Sequence, residues 1–287
     1  DKGLEVVSVS TDRKESDWRN AVKEKQMEHT KNSTKTEHLI SLSVVLVILF
    51  LWFYTTSMGL VSETLVPSPI SVWDSFLDIL KNGYKGSTLI QHLAASMGRL
   101  IKAYVLAMIT AIPLGLLSGY NSKIRALLEP VIEFYRPLPP LAYYTLLVLW
   151  MGIGDGSKIM LLFLAGFAPI YIACAAGVNK VKKDYVLGAQ TLGANARQIF
   201  IYVIFPAVLP DIFTGLRTSL GVEYTTLVAA EMVAAVSGIG WMVLDASNYL
   251  RSDIMFFGII LMGITGIVLD QILKLVEHYM VHWKGKN

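Results

Sequence analysis

The strongest constraint in this 287-residue sequence is a set of apolar runs long enough to cross a bilayer. Neither the run from Leu42 to Leu60 nor the run from Ile159 to Val178 contains a charged residue. A helix needs about 20 mainly apolar residues to cross a hydrocarbon core about 30 Å thick. Only 16% of the residues are charged, against about 25% in a soluble domain. We therefore expect an all-α, polytopic membrane protein rather than a soluble or disordered chain.

Six spans are predicted in total. The other four cover roughly residues 100–119, 138–151, 212–236 and 254–275, and the third and fifth spans have the least distinct ends. The first run is longer than the 7–15-residue apolar stretch of a signal peptide, so we interpret it as an uncleaved span. The predicted organisation is a polar cytoplasmic tail over residues 1–38, a six-helix membrane domain over 39–275 and a cytoplasmic tail over 276–287.

The distribution of Lys and Arg predicts the orientation of these spans, because cytoplasmic loops carry an excess of both. With the N-terminus inside, four basic residues fall on the outside: Lys81, Lys85, Lys158 and Arg251. Leaving out the N-terminal tail, whose eight basic residues are balanced by eight acidic ones, nine fall on the inside: Lys123, Arg125, Lys180, Lys182, Lys183, Arg197, Lys274, Lys284 and Lys286. Both termini are therefore expected in the cytoplasm. The net charge of +3 is too small to indicate a nucleic-acid partner.

An amphipathic helix is predicted directly after the first span. Pro67 and Pro69 interrupt the chain, and the following residues place Trp73, Phe76, Leu77 and Leu80 on one helical face. Such a helix can lie at the membrane interface with its Trp at the level of the headgroups, or it can pack as a lid against neighbouring spans.

Signatures of catalysis are missing from the sequence. It contains no G-x-x-x-x-G-K-[ST] phosphate loop, no H-E-x-x-H and no G-x-S-x-G. His278 and His282 are four residues apart, which is a possible metal-binding spacing, but no further ligands accompany them except Glu277. We favour a cationic helix end for this pair and expect no bound metal or cofactor. No intrachain disulfide is expected, because Cys174 is the single cysteine.

The loop between the fourth and fifth spans is unlike a simple connector. It reads KVKKDYVLGAQTLGANARQIFIYVIFPAVLP from Lys180 to Pro210, with a short helical stretch before Gly193. Small residues at Gly188, Ala189 and Ala194 allow a helix to sit close against another protein.

This loop resembles the coupling-helix signature of bacterial ABC importer permeases, E-A-A-x3-G-x9-I-x-L-P. Aligned on Gly193, the chain matches the glycine, one alanine and the final proline, while Leu187 replaces the acidic residue. The resemblance implies an ATPase-docking loop over residues 179–206, with the docking positions Leu187, Gly188, Ala189, Gly193, Ala194 and Pro206.

A wider set of motifs resembles the permeases of taurine, alkanesulfonate and nitrate importers, and the taurine permeases most of all. The motifs include SMGR at 96–99, EFYRPLPPLA at 133–142, WMGIGDGSK at 150–158 and LVAAE at 227–231. The resemblance implies a type I importer core in a bacterial inner membrane. It also implies a homodimer of permease chains, two separate ATPase subunits that bind ATP and Mg²⁺, and an extracytoplasmic solute-binding protein.

Ionisable residues inside spans are costly and often functional. Glu223, followed by Tyr224, Thr225 and Thr226, is a candidate lining of the solute path, and so are Tyr143 and Tyr144. Glu223 would attract the ammonium group of a solute. Its alternative role is a hydrogen bond to neighbouring helices.

The other charged positions in or near spans have mainly structural interpretations. Glu231 is expected to hold the 236–252 loop, and Glu133 and Arg136 to pair along one helix face. Arg99 is expected either to steer an anion or to reach the interface with its long side chain.

The leading hypothesis is a permease for a small sulfonate, with taurine favoured. Nitrate, bicarbonate, aliphatic sulfonates and pyrimidine precursors are alternatives within the same family. An ion-coupled secondary transporter and a membrane-embedded enzyme are less favoured, because the sequence has neither paired broken-helix repeats nor a convergent set of catalytic side chains.

Overall fold

The computed structural model describes residues 39–283, and the structural statements that follow concern this part of the chain. The chain divides into two units, with the boundary between Ser62 and Glu63. The first contains helix α1 (Leu39–Ser57), whose 19 residues include no charge. The predicted polar tail over residues 1–38 lies outside the described residues, and so do Lys284 and Lys286 in the predicted C-terminal tail.

The second unit is a bundle of helices. In chain order these are α2 (Pro69–Asn82), α3 (Leu89–Tyr120), α4 (Ser122–Tyr135), α5 (Pro140–Met151), α6 (Asp155–Lys180), α7 (Lys183–Thr191), α8 (Ala196–Ile199), a π-helical segment (Phe200–Ile204), α9 (Phe205–Ala234), α10 (Ile239–Asn248) and α11 (Ser252–Met280).

Five stretches of helix are long and apolar enough to cross a membrane: α1, α3, α6, α11 and the continuous stretch Ala196–Ala234 that ends in α9. The predicted third span is instead the 12-residue α5, about 18 Å long and too short to cross alone. Pro137 and Pro139 lie between α4 and α5, and Pro140 is the first residue of α5. Proline cannot continue a helical hydrogen-bond ladder, so the two helices are separate. Within residues 39–283, the all-α membrane architecture is confirmed and the count of six spans is not.

The centre of the bundle is a close contact between α3 and α6, which run in the same direction. Ala103, Ala107, Ala111 and Gly115 recur every four residues on α3, and the three alanines have no exposed surface. A Cβ atom on Gly115 would lie 2.7 Å from both Cys174 and Tyr171 of α6. Small residues at this spacing let two helices approach closely.

Helix α9 packs antiparallel against the other side of α6. Gly177 near the end of α6 faces Val208 near the start of α9, and Gly166 nearer the start of α6 faces Glu223. The end of the bundle where α6 finishes and α9 starts is called the α7 end below. The opposite end, where α9 finishes, is called the α10 end.

The predicted amphipathic helix is present as α2 and packs against α11. Its buried residues are Val72, Ser75 and Ile79, and the Ser75 hydroxyl donates a 2.6 Å hydrogen bond to Asp253 of α11. Trp73, which was expected on the apolar face, is 60% exposed. One face of α2 therefore packs as a lid, while Trp73 remains on the surface of the described unit.

Candidate functional site

The α7 end carries a short helix with no buried residue of its own. Helix α7 ends in a Schellman motif: the Gly193 N–H donates to the carbonyl of Gln190 and the Ala194 N–H to the carbonyl of Ala189. Gly193 has φ +82°, which is the left-handed conformation that this motif requires and glycine adopts without strain. The turn predicted at Gly193 therefore has a backbone reason for its glycine.

The predicted docking positions of α7 divide between two faces. Ala189 and Ala194 pack partly buried against the core of the bundle. Leu187 is 56% exposed and Leu192 is 89% exposed, although both are apolar. Apart from its two chain neighbours and the backbone of α7 itself, nothing in residues 39–283 has a heavy atom within 4 Å of a Cβ built on Gly188. The outer face of α7 thus presents apolar side chains and open space.

The chain returns from α7 to the bundle through a distorted helix. Asn195 and Gln198 form a capping box that starts α8. The π-helical segment Phe200–Ile204 follows, and Pro206 lies in the first turn of α9. A proline cannot donate an amide hydrogen bond, so the ladder is irregular where this helix enters the bundle.

Glu223 is completely buried at the contact between α6 and α9. Its Oε1 atom accepts a hydrogen bond from the Ser219 hydroxyl at 2.9 Å, and that hydroxyl also lies 3.0 Å from the carbonyl oxygen of Gly166. Among residues 39–283, nothing hydrogen-bonds to Oε2. Glu223 has no exposed surface, so no solute reaches its carboxyl group in this conformation.

The three hydroxyl residues after Glu223 point to different surroundings. Tyr224 hydrogen-bonds to Thr265 and to the carbonyl of Met262, both on α11. Thr225 is exposed, whereas Thr226 is 6% exposed and donates to the carbonyl of Val222 on its own helix.

Tyr143 and Tyr144 lie on α5 and contact another part of the bundle. Tyr144 is 1% exposed and packs with Leu161 and with Ala230 of α9, while Tyr143 is partly buried beside this cluster. The structure therefore does not bring the six predicted path residues onto one common surface of the chain.

The α10 end contains a buried ion pair between helices distant in sequence. The Arg99 Nη1 atom donates to Glu231 Oε1 at 2.6 Å, and its Nε atom donates to Asp155 Oδ1 at 2.7 Å. The Arg99 side chain is 6% exposed. Its guanidinium therefore neither steers solutes at the surface nor reaches out to the interface, in contrast to both expectations from the sequence.

The start of α10 is held by side chains from α3 and α9. The amides of three successive residues donate to them: Gly238 to His92 Nδ1 at 3.2 Å, Ile239 to the Ser96 hydroxyl at 2.9 Å and Gly240 to Glu231 Oε2 at 3.0 Å. Ser96 in turn donates to Glu231. The first amides of a helix lack partners within the helix, and here Glu231 supplies both an acceptor and a compensating charge.

A turn before α3 is joined to α10 by further polar contacts. The Tyr84 hydroxyl donates to Asp245 at 2.7 Å, and the Lys85 ammonium lies 4.0 Å above the ring of Tyr249. Burial and the hydrogen bond to Asp245 raise the pKa of Tyr84 well above its usual range, which keeps the hydroxyl protonated as a donor.

The predicted pair of Glu133 and Arg136 does not form within the described residues. Both side chains are exposed and line a shallow recess of about 180 Å³ near the break between α4 and α5. Arg136 keeps helical backbone angles and its amide donates to the carbonyl of Ile132, so the spacing would allow the pair, but the two exposed side chains do not meet.

Comparison with known proteins agrees with this architecture. Residues 111–282 match the family described as binding-protein-dependent transport system inner membrane component. The taurine transport system permease protein TauC of Escherichia coli is 40% identical over 248 residues, which cover 86% of this chain and 90% of TauC. The chain is a member of this permease family.

Other relatives of the permease have different named solutes. A putative aliphatic sulfonates transport permease of Bacillus subtilis is 32% identical over 83% of this chain and 85% of its own length. The bicarbonate transport system permease CmpB of Synechococcus elongatus is 30% identical over 85% of this chain and 89% of its own length. Among solved structures, the MetNI methionine ABC transporter shares the fold, with 15% identity, a TM-score of 0.51 and coverage of 66% of this chain and 95% of the matched chain.

These matches confirm the resemblance inferred from the motifs. The permease is a multi-pass inner membrane component of a transport system and not an enzyme. The alternatives of an ion-coupled secondary transporter and of a membrane-embedded enzyme are therefore wrong.

Sequence reasoning missed a second charged contact of the permease, between α9 and α11. The Arg217 Nε atom lies 3.1 Å from Asp270, and the Lys274 ammonium lies 2.7 Å from the other oxygen of that carboxylate. The sequence did contain a signal for this contact, since Arg217 and Asp270 interrupt two apolar runs at similar distances from the α7 end.

Lys158 differs from its predicted position in an outside loop. It is 2% exposed and donates to the carbonyls of Ile153 and Gly154.

Proposed function

We propose that this permease forms the membrane path of an ATP-driven importer for a small sulfonate, with taurine as the preferred solute. The observation that carries the solute class is the 40% identity to a taurine permease over nearly the whole of both chains. Relatives named for aliphatic sulfonates match at 32–34% identity, and a bicarbonate permease matches at 30%. Bicarbonate, nitrate or a pyrimidine precursor is the second candidate class of solute.

The proposed transporter contains two copies of this chain, two ATPase subunits and an extracytoplasmic solute-binding protein. ATP and Mg²⁺ bind to the ATPase subunits and not to this chain. The α7 end faces the cytoplasm, in agreement with the excess of Lys and Arg in its loops, and both termini lie on that side.

The outer face of α7 is the proposed ATPase-docking surface. Support comes from the exposed Leu187 and Leu192 and from the fixed Schellman turn at Gly193. Contiguous apolar patches exposed outside the bilayer mark protein contacts. Val186, Ala189 and Ala194 join this helix to the core of the bundle, so motion of the ATPase subunits is transmitted to α6 and α9.

The solute assignment is tested with the whole transporter in proteoliposomes, assembled from this chain, its ATPase subunit and its solute-binding protein. ATP hydrolysis and solute uptake are measured with taurine, an alkanesulfonate without an amine, and bicarbonate. Taurine is expected to give the largest uptake per ATP hydrolysed. Uptake of bicarbonate without uptake of either sulfonate would contradict the assignment.

The role of Glu223 is tested with the same solutes. Because its carboxyl group is enclosed between α6 and α9, we assign it to helix packing rather than to ammonium binding. Glu223→Ala is expected to lower taurine and alkanesulfonate uptake by the same factor. A selective loss of taurine uptake would instead support the attraction of an ammonium group by this carboxylate.

A further inference from the structure

A cavity at the α7 end is separate from the proposed docking surface. It has a volume of about 560 Å³ and lies where α6 ends, α9 begins and the chain emerges from α11. Its volume falls within the range of small-molecule sites, about 300–1,000 Å³. Leu187 and Leu192 of the docking surface do not line it, and of the docking positions predicted from the sequence it includes only Pro206.

The walls of this cavity are mainly apolar. They include Val181, Pro206, Ala207 and Pro210, together with Trp283. Trp283 is partly buried and packs against the core of the bundle. This packing holds its side chain in place in the wall of the cavity. A site built for a soluble anion would offer several buried polar donors, and these apolar walls suit hydrocarbon instead.

The charged and aromatic groups of the lining are those of a membrane interface. Lys180 and Lys182 contribute two ammonium groups, and Asp211 contributes one carboxylate. Lys180 is 2.6 Å from Asp211 and its side chain is 69% exposed, so its other N–H groups remain available. Lys182 is exposed and forms no ion pair within residues 39–283. Tyr185, in the same lining, and Trp283 are side chains that favour the headgroup level.

We infer that this cavity binds the headgroup and upper acyl chain of an anionic phospholipid. Lys182 and the free donors of Lys180 bind the phosphate, while Pro206, Ala207 and Trp283 contact the hydrocarbon. Basic pockets at the ends of transmembrane helices bind anionic headgroups in this way. Because α7 begins directly after Lys182, the bound lipid contacts both the N-terminus of α7 and the start of α9.

The experiment uses the full chain purified in a mild detergent from membranes of mixed lipid composition. Native mass spectrometry measures the phosphatidylglycerol and phosphatidylethanolamine that remain bound. Lys182→Gln removes one cavity charge, and Lys183→Gln removes the adjacent charge, which does not line the cavity. Ala207→Phe fills the cavity without changing any charge. Thermal unfolding of each variant verifies that the bundle is intact.

The wild-type chain is expected to retain phosphatidylglycerol in preference to phosphatidylethanolamine. Lys182→Gln should lower that retention about fivefold, as expected for one basic group at an anionic headgroup. Ala207→Phe should lower it at least as much, and Lys183→Gln should change it less than about twofold.

Three outcomes would overturn the assignment. The first is equal retention of the two lipids by the wild-type chain, and the second is an equal loss in Lys182→Gln and Lys183→Gln. The third concerns a protein occupant and uses Ala207→Cys in the assembled transporter. A cross-link from this position to an ATPase subunit would show that protein fills the cavity, whereas a cross-link to a lipid-borne reagent supports the inference.

Discussion

The guanidinium of Arg99 lies 2.6 Å from the carboxylate of Glu231, and the two side chains are only 6% and 1% exposed. The contact joins α3 to the end of α9, and Glu231 also accepts the amide of Gly240 at the start of α10. A buried ion pair adds little net stability, because both charges lose their hydration, but the loss of one partner leaves the other charge uncompensated.

The first prediction follows from this dependence. Glu231→Gln keeps the size of the side chain and removes its charge, so among residues 39–283 the buried Arg99 keeps only the 60% exposed Asp155 as a counterion. The variant should be destabilised by about 3–5 kcal/mol, measured by thermal or chemical unfolding in detergent. Asp155→Asn is the matched control, since Asp155 contacts the same guanidinium but is 60% exposed. It should cost about 0–1 kcal/mol, and equal effects of the two changes would contradict a buried pair.

The arrangement at Arg99 also shows where prediction from sequence stops. Arg99 and Glu231 are 132 residues apart, and no local spacing indicates that they meet. Without that pairing, a charge near the end of a predicted span suggests snorkelling or solute steering. The structure replaces both interpretations, because the guanidinium is surrounded by acceptors from α6, α9 and the turn before α10.

The spans were more predictable than the Arg99–Glu231 pair, because hydropathy depends on short windows of sequence. Where the predicted spans differ from the helices, the cause is local. Helix α3 begins 11 residues before the predicted start because His92 and Ser96, which lower the hydropathy, are buried by contacts made at the α10 end. The predicted third span fails at a proline cluster. Gly193, in contrast, was identifiable from sequence, because a turn glycine after a short helical stretch has a direct backbone explanation.

A second prediction concerns the contact between Gly166 and Glu223. A Cβ atom on Gly166 would lie 1.7 Å from Glu223 Oε1, so Gly166→Ala forces the carboxyl group or the helices apart. Overpacking of this kind costs about 1–3 kcal/mol. Glu223→Ala removes the nearest obstruction and leaves the Ser219 hydroxyl oxygen 2.7 Å from the new Cβ. The double variant should therefore be more stable than the sum of the single effects predicts, by about 0.5–3 kcal/mol.

The control for this cycle is Gly263→Ala on α11, where the described residues place no heavy atom beyond the two chain neighbours and the backbone of α11 within 4 Å of the new methyl group. This change should be neutral or stabilising, since alanine favours helix more than glycine does. Unfolding of the wild type, the two single variants and the double variant in the same detergent measures the coupling energy between Gly166→Ala and Glu223→Ala. Strict additivity of Gly166→Ala and Glu223→Ala would contradict direct contact of the two residues.

A third prediction concerns Leu192, which is apolar and 89% exposed at the end of α7. If the ATPase subunit covers it, Leu192→Ala loses burial worth about 1.5–3 kcal/mol, and ATPase association should weaken at least tenfold. Association is measured by titrating the ATPase subunit onto the permease in nanodiscs. Leu149→Ala, at a 76% exposed leucine on α5, is the control and should leave the affinity unchanged. Equal affinities of both variants and the wild type would exclude Leu192 from the docking surface.

The fourth prediction separates backbone geometry from bulk at Gly193. Apart from its two chain neighbours, no residue of 39–283 has a heavy atom within 4 Å of a Cβ built on Gly193, so an added Cβ meets open space, but φ is +82°. Asn and Leu have similar sizes, and Asn adopts left-handed backbone conformations far more readily. Gly193→Leu should reduce ATPase association and uptake about tenfold, from about 1–2 kcal/mol of backbone strain, while Gly193→Asn should retain most of both. Membrane insertion, measured by the amount of folded chain recovered, should be equal for the two variants. Equal losses of ATPase association in Gly193→Leu and Gly193→Asn would contradict this prediction. They would show that added bulk in the docking interface, and not the conformation of the turn, weakens association.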